Sequence, residues 1–426
     1  MMKKILVMIL AVVLCFGSLT SMAYAEDAID TTDTEIAAAE EATTAEEVIT
    51  AEEEETSEAD AADEMEEETF AAGDPFTVGV ILKEEDSTLS RTVMGGLNAI
   101  GEPLGVTFQP GYCGPNWEEE LAVVQNFAVG GFDGIVLLHS GANLPQMVSI
   151  CEEYGMYLVT SNEPAHWNEE YYDFSENPYF AGEVWEDEQV IVESVLEHMI
   201  ANGAKQFGLC TLPDGQSSQV DWRFTLAYAI LYDLGFTDDT IHSGRDTDLK
   251  AAAENLLAQY PQLDAIFLGG ATDPSIYEAL NPSGSTKKIL LNCYEPGDEE
   301  IAAMKDGTLS FAAAGNCAEP MIAFILLYNA MSGHKMLQDD MTAASINMQS
   351  VLCTSAEELE QMLAYCSESN PPYAFEELQS FLGEEASYND LKAFAEQFSL
   401  EDLLRRHEEK ITEDPLQEDT EEYHIF

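Results

Sequence analysis

The chain has 426 residues, with 81 Asp and Glu against 16 Lys and Arg, a formal net charge of −65 at pH 7. That balance excludes a nucleic-acid partner and an anionic membrane surface, since both are held by clustered cations. Apolar residues still make up 46% of the chain, enough to build sizeable cores.

The chain starts with the basic Met1-Met2-Lys3-Lys4. An apolar run from Ile5 to Phe16 follows, and Ala23-Tyr24-Ala25 is a small-residue cleavage site. Residues 1–25 therefore read as a secretory signal peptide, and the expected location is extracytoplasmic, in the periplasm or on the outer face of the cell membrane. Val12-Val13-Leu14 lacks the small residue that lipoprotein processing needs before Cys15, which favours ordinary cleavage. Residues 26–72 carry twenty acids and no Lys or Arg, and are expected to form a disordered acidic linker that cannot bury enough apolar surface to fold. Beyond it, 61 acids face 14 bases in residues 73–426, so the folded part is acidic in its own right. The seven remaining cysteines, 113, 151, 210, 293, 317, 353 and 366, are odd in number and form no Cys-x-x-Cys. Most read as small core hydrophobes.

The folded part is organised around the apolar run Asp133-Gly134-Ile135-Val136-Leu137-Leu138, which returns 131 positions later as Asp264-Ala265-Ile266-Phe267-Leu268. Runs of this kind suit strands covered on both faces. Their surroundings repeat as well. Gly105 and Gly235 lie 28 and 29 residues before the two Asp, and Tyr157 and Lys288 each open another apolar run 24 residues after. The spacing predicts strands at 76–82, 106–111, 134–139 and 157–161 with helices at 88–104, 118–130 and 143–154 between them. In the second copy it predicts helices at 183–202, 219–234, 247–259 and 274–280, and strands at 206–212, 240–243, 265–269 and 288–292. A strand at 309–314, a helix at 319–332 and one last strand at 345–352 follow. After Cys366 comes a helix-rich acidic extension, expected to pack on the second lobe. A duplicated β-α-β-α-β-α-β unit of this kind places the strand ends of its halves, and hence a ligand site, face to face.

Several short stretches fall in the order seen in the type I periplasmic binding proteins, the ribose- and galactose-type receptors of ABC importers. They are Gly96-Leu97-Asn98-Ala99 through Leu104-Gly105, Gly131-Phe132-Asp133-Gly134-Ile135, Arg223 at a helix start, Leu263-Asp264-Ala265-Ile266-Phe267 to Thr272-Asp273, and Lys305-Asp306-Gly307-Thr308-Leu309. Over residues 74–354 the chain resembles that family. The resemblance implies an α/β fold of two similar doubly wound parallel-sheet lobes joined by a three-segment hinge, with the crossing segments near 163–175, 314–317 and 344–348. It implies an N-terminal lobe of 73–165 plus 316–345 and a C-terminal lobe of 166–315 plus 346–366, leaving 367–426 as the extension. It also implies a monomer that captures a small-molecule solute, a sugar or sugar-like molecule, for an ABC permease. A membrane sensor as partner, or a small anionic or nucleoside solute, is the alternative. The chain departs from the family where its aromatic loop after the first strand is replaced by Ser87-Thr88-Leu89-Ser90, and where its hinge Gln falls at Gly315 or Asn316.

Candidate ligand-binding residues are those at strand C-terminal ends, where the following helices point free N–H groups into the cleft. In the first lobe these are Ser87, Ser90, Arg91, Trp117, His139 and Asn162. In the second lobe and the hinge they are Arg223, Asp273, Tyr294 and Asn316. Arg and Asp bond adjacent hydroxyls in pairs, and Trp and Tyr supply an apolar wall. The competing readings are surface or helix-capping roles: Arg223 paired with a nearby acid, Asp273 an N-cap before Pro274, His139 a packing residue and Trp117 an exposed first-turn side chain. The sequence contains no Gly-x-Ser-x-Gly, His-Glu-x-x-His, Walker-type loop or calcium loop, so no enzyme activity, metal or cofactor is expected.

Overall fold

The structure, a computed structural model, describes residues 75–114, 117–138, 143–215, 218–270, 275–280, 288–292 and 296–413. The segments expected to be a signal peptide, 1–25, and an acidic linker, 26–72, lie outside the described residues.

The first half follows the predicted rhythm: β1 (Thr77–Leu82), α1 (Thr88–Gly101), β2 (Thr107–Tyr112), α2 (Trp117–Val129), β3 (Gly134–Leu137), α3 (Leu144–Tyr154) and β4 (Tyr157–Asn162). β1, β3 and β4 are buried almost throughout, as parallel strands covered by helices must be. Ser87 caps α1 by accepting the N–H of Ser90, and Gly155, at φ 72°, ends α3 in the left-handed conformation that glycine adopts without strain.

The chain does not then cross to the second lobe at 163–175. A short helix, α4 (Tyr171–Ser175), leads into β5 (Phe180–Glu186), which pairs parallel with β4 in the first sheet. The first crossing is at Asp187, which caps α5 (Glu188–Ala201) by accepting the N–H of Gln189. Helix α5 packs in the second lobe's core through Ile191, Val192, Val195 and Leu196. The helix expected from 183 is therefore a strand for its first residues. Two acids of that strand, Glu183 and Glu186, would face water on an exposed helix. In the fold their carboxylates are fully buried and bonded to residues far along the chain, Ser345 and Ser350.

The second copy gives β6 (Phe207–Thr211), α6 (Ser218–Asp233), β7 (Ile241–Arg245), α7 (Leu249–Gln259), β8 (Ala265–Leu268), α8 (Ser275–Leu280) and β9 (Lys288–Asn292). Next come α9 (Asp298–Asp306), not anticipated although its first turn is acidic and Gly307 closes it, and β10 (Leu309–Ala314). Residues 315–318 return the chain to the first lobe as α10 (Glu319–Met331), apolar all round and buried along nearly its whole length against β3, β4 and β5. The single last strand expected at 345–352 is two strands in different sheets. β11 (Ala344–Met348) pairs parallel with β5, and β12 (Val351–Cys353) pairs antiparallel with β10, so the third crossing is at residues 349–350.

The two six-stranded sheets have matching orders, β11-β5-β4-β3-β1-β2 and β12-β10-β9-β8-β6-β7. Asp133 and Asp264 occupy equivalent places in them. A carboxylate oxygen of Asp133 accepts the N–H of Thr77 at 2.7 Å where β1 begins. Asp264 accepts those of Lys205 and Gln206 at 3.0 and 2.9 Å just before β6.

Helix α11 (Ala356–Tyr365) follows β12, and the extension beyond Cys366 forms α12 (Phe375–Leu378), α13 (Tyr388–Ala395) and α14 (Leu400–Glu413). It packs on both lobes rather than on the second alone. Helix α14 lies on α11, which itself packs on β12 and α9, while α13 lies on β11, where the Tyr388 hydroxyl donates to the Ser345 carbonyl at 2.7 Å. Buried Asn329 of α10 donates to the Phe381 carbonyl and accepts the N–H of Gly383, both at 2.8 Å. Among the described residues, no helix is long and apolar enough to cross a membrane.

Candidate functional site

The crossing segments gather the C-terminal ends of strands from both lobes at one seam. Asn162 ends β4 at φ 71°, a left-handed conformation that a non-glycine residue holds only when its surroundings demand it. Its side-chain amide donates to the carbonyl of Asn316 in the second crossing at 3.0 Å, tying the first lobe to the hinge. Glu186 ends β5, Glu188 opens α5 and Glu319 opens α10, and all three are buried.

Arg223, near the start of α6, is wholly buried. Its guanidinium grips Glu188 with two bonds of 2.6 Å, from Nε and Nη2, while Glu186 Oε1 lies 3.7 Å from Nη2. Gln219 donates to the same Glu188 carboxylate at 2.6 Å. A bidentate Arg–carboxylate pair of this geometry is among the stronger polar contacts available to a protein, and it joins the residue after the first crossing to the second lobe. The third crossing takes part through the Ser350 hydroxyl, which donates to Glu186.

The remaining acids are neutralised differently. Burial, and next the charge of Glu188, push the Glu186 carboxyl up to about 7, against the opposing pull of Arg223. Burial, followed by the charge of Glu186, holds the Glu319 carboxyl well above the usual range. Glu186 Oε1 and Glu319 Oε2 are each buried without a hydrogen-bond partner. The seam is thus a protonatable polar cluster where the two lobes and the three crossings meet.

Of the residues singled out by sequence, the structure brings Asn162 and Asn316 together. It places Arg223 in the same seam, facing Glu188 and Glu186. Ser87, Ser90 and Arg91 stand together at the N-terminus of α1 and build their own loop. Ser90 Oγ donates to the Glu84 carbonyl, and Arg91 Nη1 donates to the Asp86 carbonyl at 2.7 Å. A shallow hollow beside them is lined by Thr88, Thr92, Asn316, Cys317 and Cys366. His139, Asp273 and Tyr294, and the side chain of Trp117, lie outside the described residues. The six described cysteines are buried free thiols; Cys293 is not among the described residues. Sequence reasoning missed Glu186, Glu188 and Glu319. The one available signal was an acid directly following each of the two chain returns, at Glu188 after Asp187 and at Glu319 before Pro320.

No family profile matches the sequence, and no curated protein is detectably similar to it. Solved structures do match. An ABC transporter solute-binding protein from Bacillus halodurans with bound myo-inositol is 14% identical, covers 69% of this chain and 99% of its own, and has a TM-score of 0.53. One from Agrobacterium vitis with bound D-fucose is 18% identical over 65% of this chain and 95% of its own, at a TM-score of 0.54. A transcriptional regulator, CelR, in complex with cellobiose is 18% identical over 65% of this chain and 83% of its own, at 0.50. The fold is therefore that of the type I periplasmic binding proteins.

Proposed function

We propose that this protein is an extracytoplasmic solute receptor, a binding protein and not an enzyme, which captures a small sugar or sugar-like molecule between its lobes and presents it to an ABC permease. The observation that carries the reading is the seam itself. Two matched sheets turn their strand ends toward one another across three crossing segments, with polar side chains of both lobes converging there. Segments of that kind absorb the rotation by which lobes close on a ligand. The polyols and sugars held by proteins of the same fold support the solute class. Arg223, Asn162, Asn316, Asp273, Tyr294, His139, Ser87, Ser90, Arg91 and Trp117 are the proposed contacts.

A thermal-shift screen of the whole chain against pentoses, hexoses, cyclitols, linear polyols and nucleosides tests the reading. A bound solute at a hundred times its dissociation constant adds about 2.7 kcal/mol, which moves the melting temperature by several degrees. A screen in which no member shifts the transition overturns it.

A further inference from the structure

We infer that Cys317, in the second crossing, and Cys366, directly after α11, close a disulfide that pins the crossing to the second lobe and stiffens the hinge. The inference goes beyond solute capture and shares with the proposed function only the extracytoplasmic location, where thiols meet oxidants. Far apart in sequence, the two side chains line one hollow of about 30 Å³, and their thiols are in hydrogen-bonding contact. The other described cysteines are placed differently. Cys113 and Cys210 direct their S–H groups to the carbonyls of Leu82 and Leu249 at 3.4 and 3.3 Å. Cys151, Cys210 and Cys353 are wholly buried, whereas Cys317 and Cys366 keep 7% and 6% of their surface exposed beside the hollow. The hollow has Thr88 and Thr92 of α1 on the first-lobe side and Met362 of α11 on the other, so a rotation that parts the lobes also admits an oxidant.

The oxidant is itself a disulfide, that of a thiol–disulfide oxidoreductase or of oxidised glutathione. Contact with Cys317, and next burial, hold the Cys366 thiol well above its ordinary range against the pull of Arg406, so the first attack falls to Cys317. Having released its proton to solvent, the Cys317 sulfur bonds to one sulfur of the oxidant and expels the other as a thiolate. Cys366 then loses its proton and attacks the Cys317 sulfur, releasing the second thiolate. The protein gives up two electrons and two protons, and the oxidant takes them up as two thiols.

Residues 315–318 are the joint that this bond restrains. Gly315 holds φ 106°, and a side chain there would meet Phe398 of the extension at 3.0 Å, so the extension already rests on the crossing. Helix α11, which Cys366 ends, packs on β12 and α9 in the second lobe. Two residues further on, the backbone of Glu368 lies so close to Gly95 of α1 in the first lobe that a Cβ there would collide with its carbonyl. A bond from Cys366 to Cys317 joins these supports to the crossing and leaves only Ala318 between the link and the start of α10 at Glu319. The crossing then turns only if α11 shifts on its lobe.

The test equilibrates the whole chain with reduced or oxidised glutathione, blocks the remaining thiols and cleaves after glutamates without reduction. Oxidised protein should yield fragment 301–319 linked to fragment 361–368, and because Glu357, Glu358 and Glu360 stand between Cys353 and Cys366 the two cysteines are told apart. Its melting temperature should rise by several degrees, and amide exchange across residues 315–318 should slow at least about tenfold. Cys317→Ala and Cys366→Ala should lose the link and both responses, while Cys353→Ala keeps all three. An oxidised parent without this link, or with Cys366 bonded to another cysteine, overturns the disulfide. A linked parent whose crossing exchanges as fast as that of the reduced protein overturns the stiffening. Neither outcome bears on the receptor reading, which the solute screen tests on its own.

Discussion

Helix α5 in the second lobe and helix α10 in the first both begin directly after a crossing segment, and both begin with a glutamate, Glu188 and Glu319, buried at the seam. The two acids are accommodated in opposite ways. Glu188 meets the guanidinium of Arg223 in a bidentate pair and is further bonded by Gln219. Glu319 is met by the backbone of Asn162 and keeps one oxygen without a hydrogen bond, and its carboxyl is pushed toward the protonated form. The lobes are therefore alike where winding a sheet dictates residues, at Asp133 and Asp264, and unlike where the seam is built. One lobe neutralises its buried acid with a cation and the other with a proton.

The largest effect expected from breaking that difference belongs to Arg223. The sequence alone leads one to expect that Arg223→Ala loses solute and keeps the fold. Its complete burial on Glu188 changes the expected outcome, because truncation strands at least one carboxylate in the interior. Removing one partner of a buried pair costs about 3 to 5 kcal/mol, whereas replacing both by apolar residues of similar size is often neutral. Arg223→Ala should therefore collapse the urea midpoint at neutral pH, and Arg223→Met combined with Glu188→Leu should recover most of it. A single variant as stable as the parent would show that the pair carries no structural weight.

A smaller effect is expected where the lobes agree. Asp133→Ala and Asp264→Ala each free backbone N–H groups at the start of the first strand of a sheet, and a hydrogen bond to a charged group contributes about 1.5 to 3 kcal/mol. Asp264 accepts from two residues and Asp133 accepts one side-chain bond, so the second-lobe variant should lose more on denaturant titration. Equal losses would show that the second bond at Asp264 adds nothing, and a loss at Asp133 with none at Asp264 would break the equivalence drawn between them.

The parallel strands and most helices were legible in the sequence because their apolar runs recur with fixed spacing and their ends carry Ser87, Gly155 and similar stops. The segment 180–186 was not, because a strand bearing Glu183 and Glu186 is stable only with partners some 160 residues away at Ser345 and Ser350. The break between β11 and β12 was hidden for a related reason: Gln349 and Ser350 look like strand residues until two sheets compete for the ends of the run. At the site, Arg223, Asn162 and Asn316 could be named from their place at strand and helix ends. That Arg223 faces two acids could not, since Glu186 and Glu188 lie 37 and 35 positions earlier and only the crossing at Asp187 turns both toward it. That the extension also grips the first lobe was equally hidden, because the apolar face of α13, with Leu391 and Ala395 buried, does not say which sheet it lies on, and the polar contact from Asn329 to Phe381 joins residues 52 positions apart.

The smallest expected effect sharpens the contrast between cation and proton, and it is read as a slope rather than a loss. Glu186 is raised from an ordinary value near 4.5 to about 7 in the fold, with burial the main cause and Glu188 the next. The groups facing it are Glu188, Arg223, Glu319, Ser350 and Asn316. A carboxyl whose value is higher folded than unfolded keeps a proton in the native state that the unfolded chain has released. The stability this confers is fully present below about 4.5 and is lost as pH rises through about 7, so stability should fall across that window and then level off. Glu319, raised in the same direction, adds to the fall. The repulsion among the chain's many surface acids also grows with pH, but it is common to parent and variant and cancels in their difference. Urea midpoints between about pH 5 and about pH 8 should therefore decline less in Glu186→Gln than in the parent, and less again in Glu186→Gln with Glu319→Gln, since an amide keeps the shape of the protonated acid without its titration. A decline as steep in the double variant as in the parent would place the pH response elsewhere and remove the proton from the first lobe's side of the comparison.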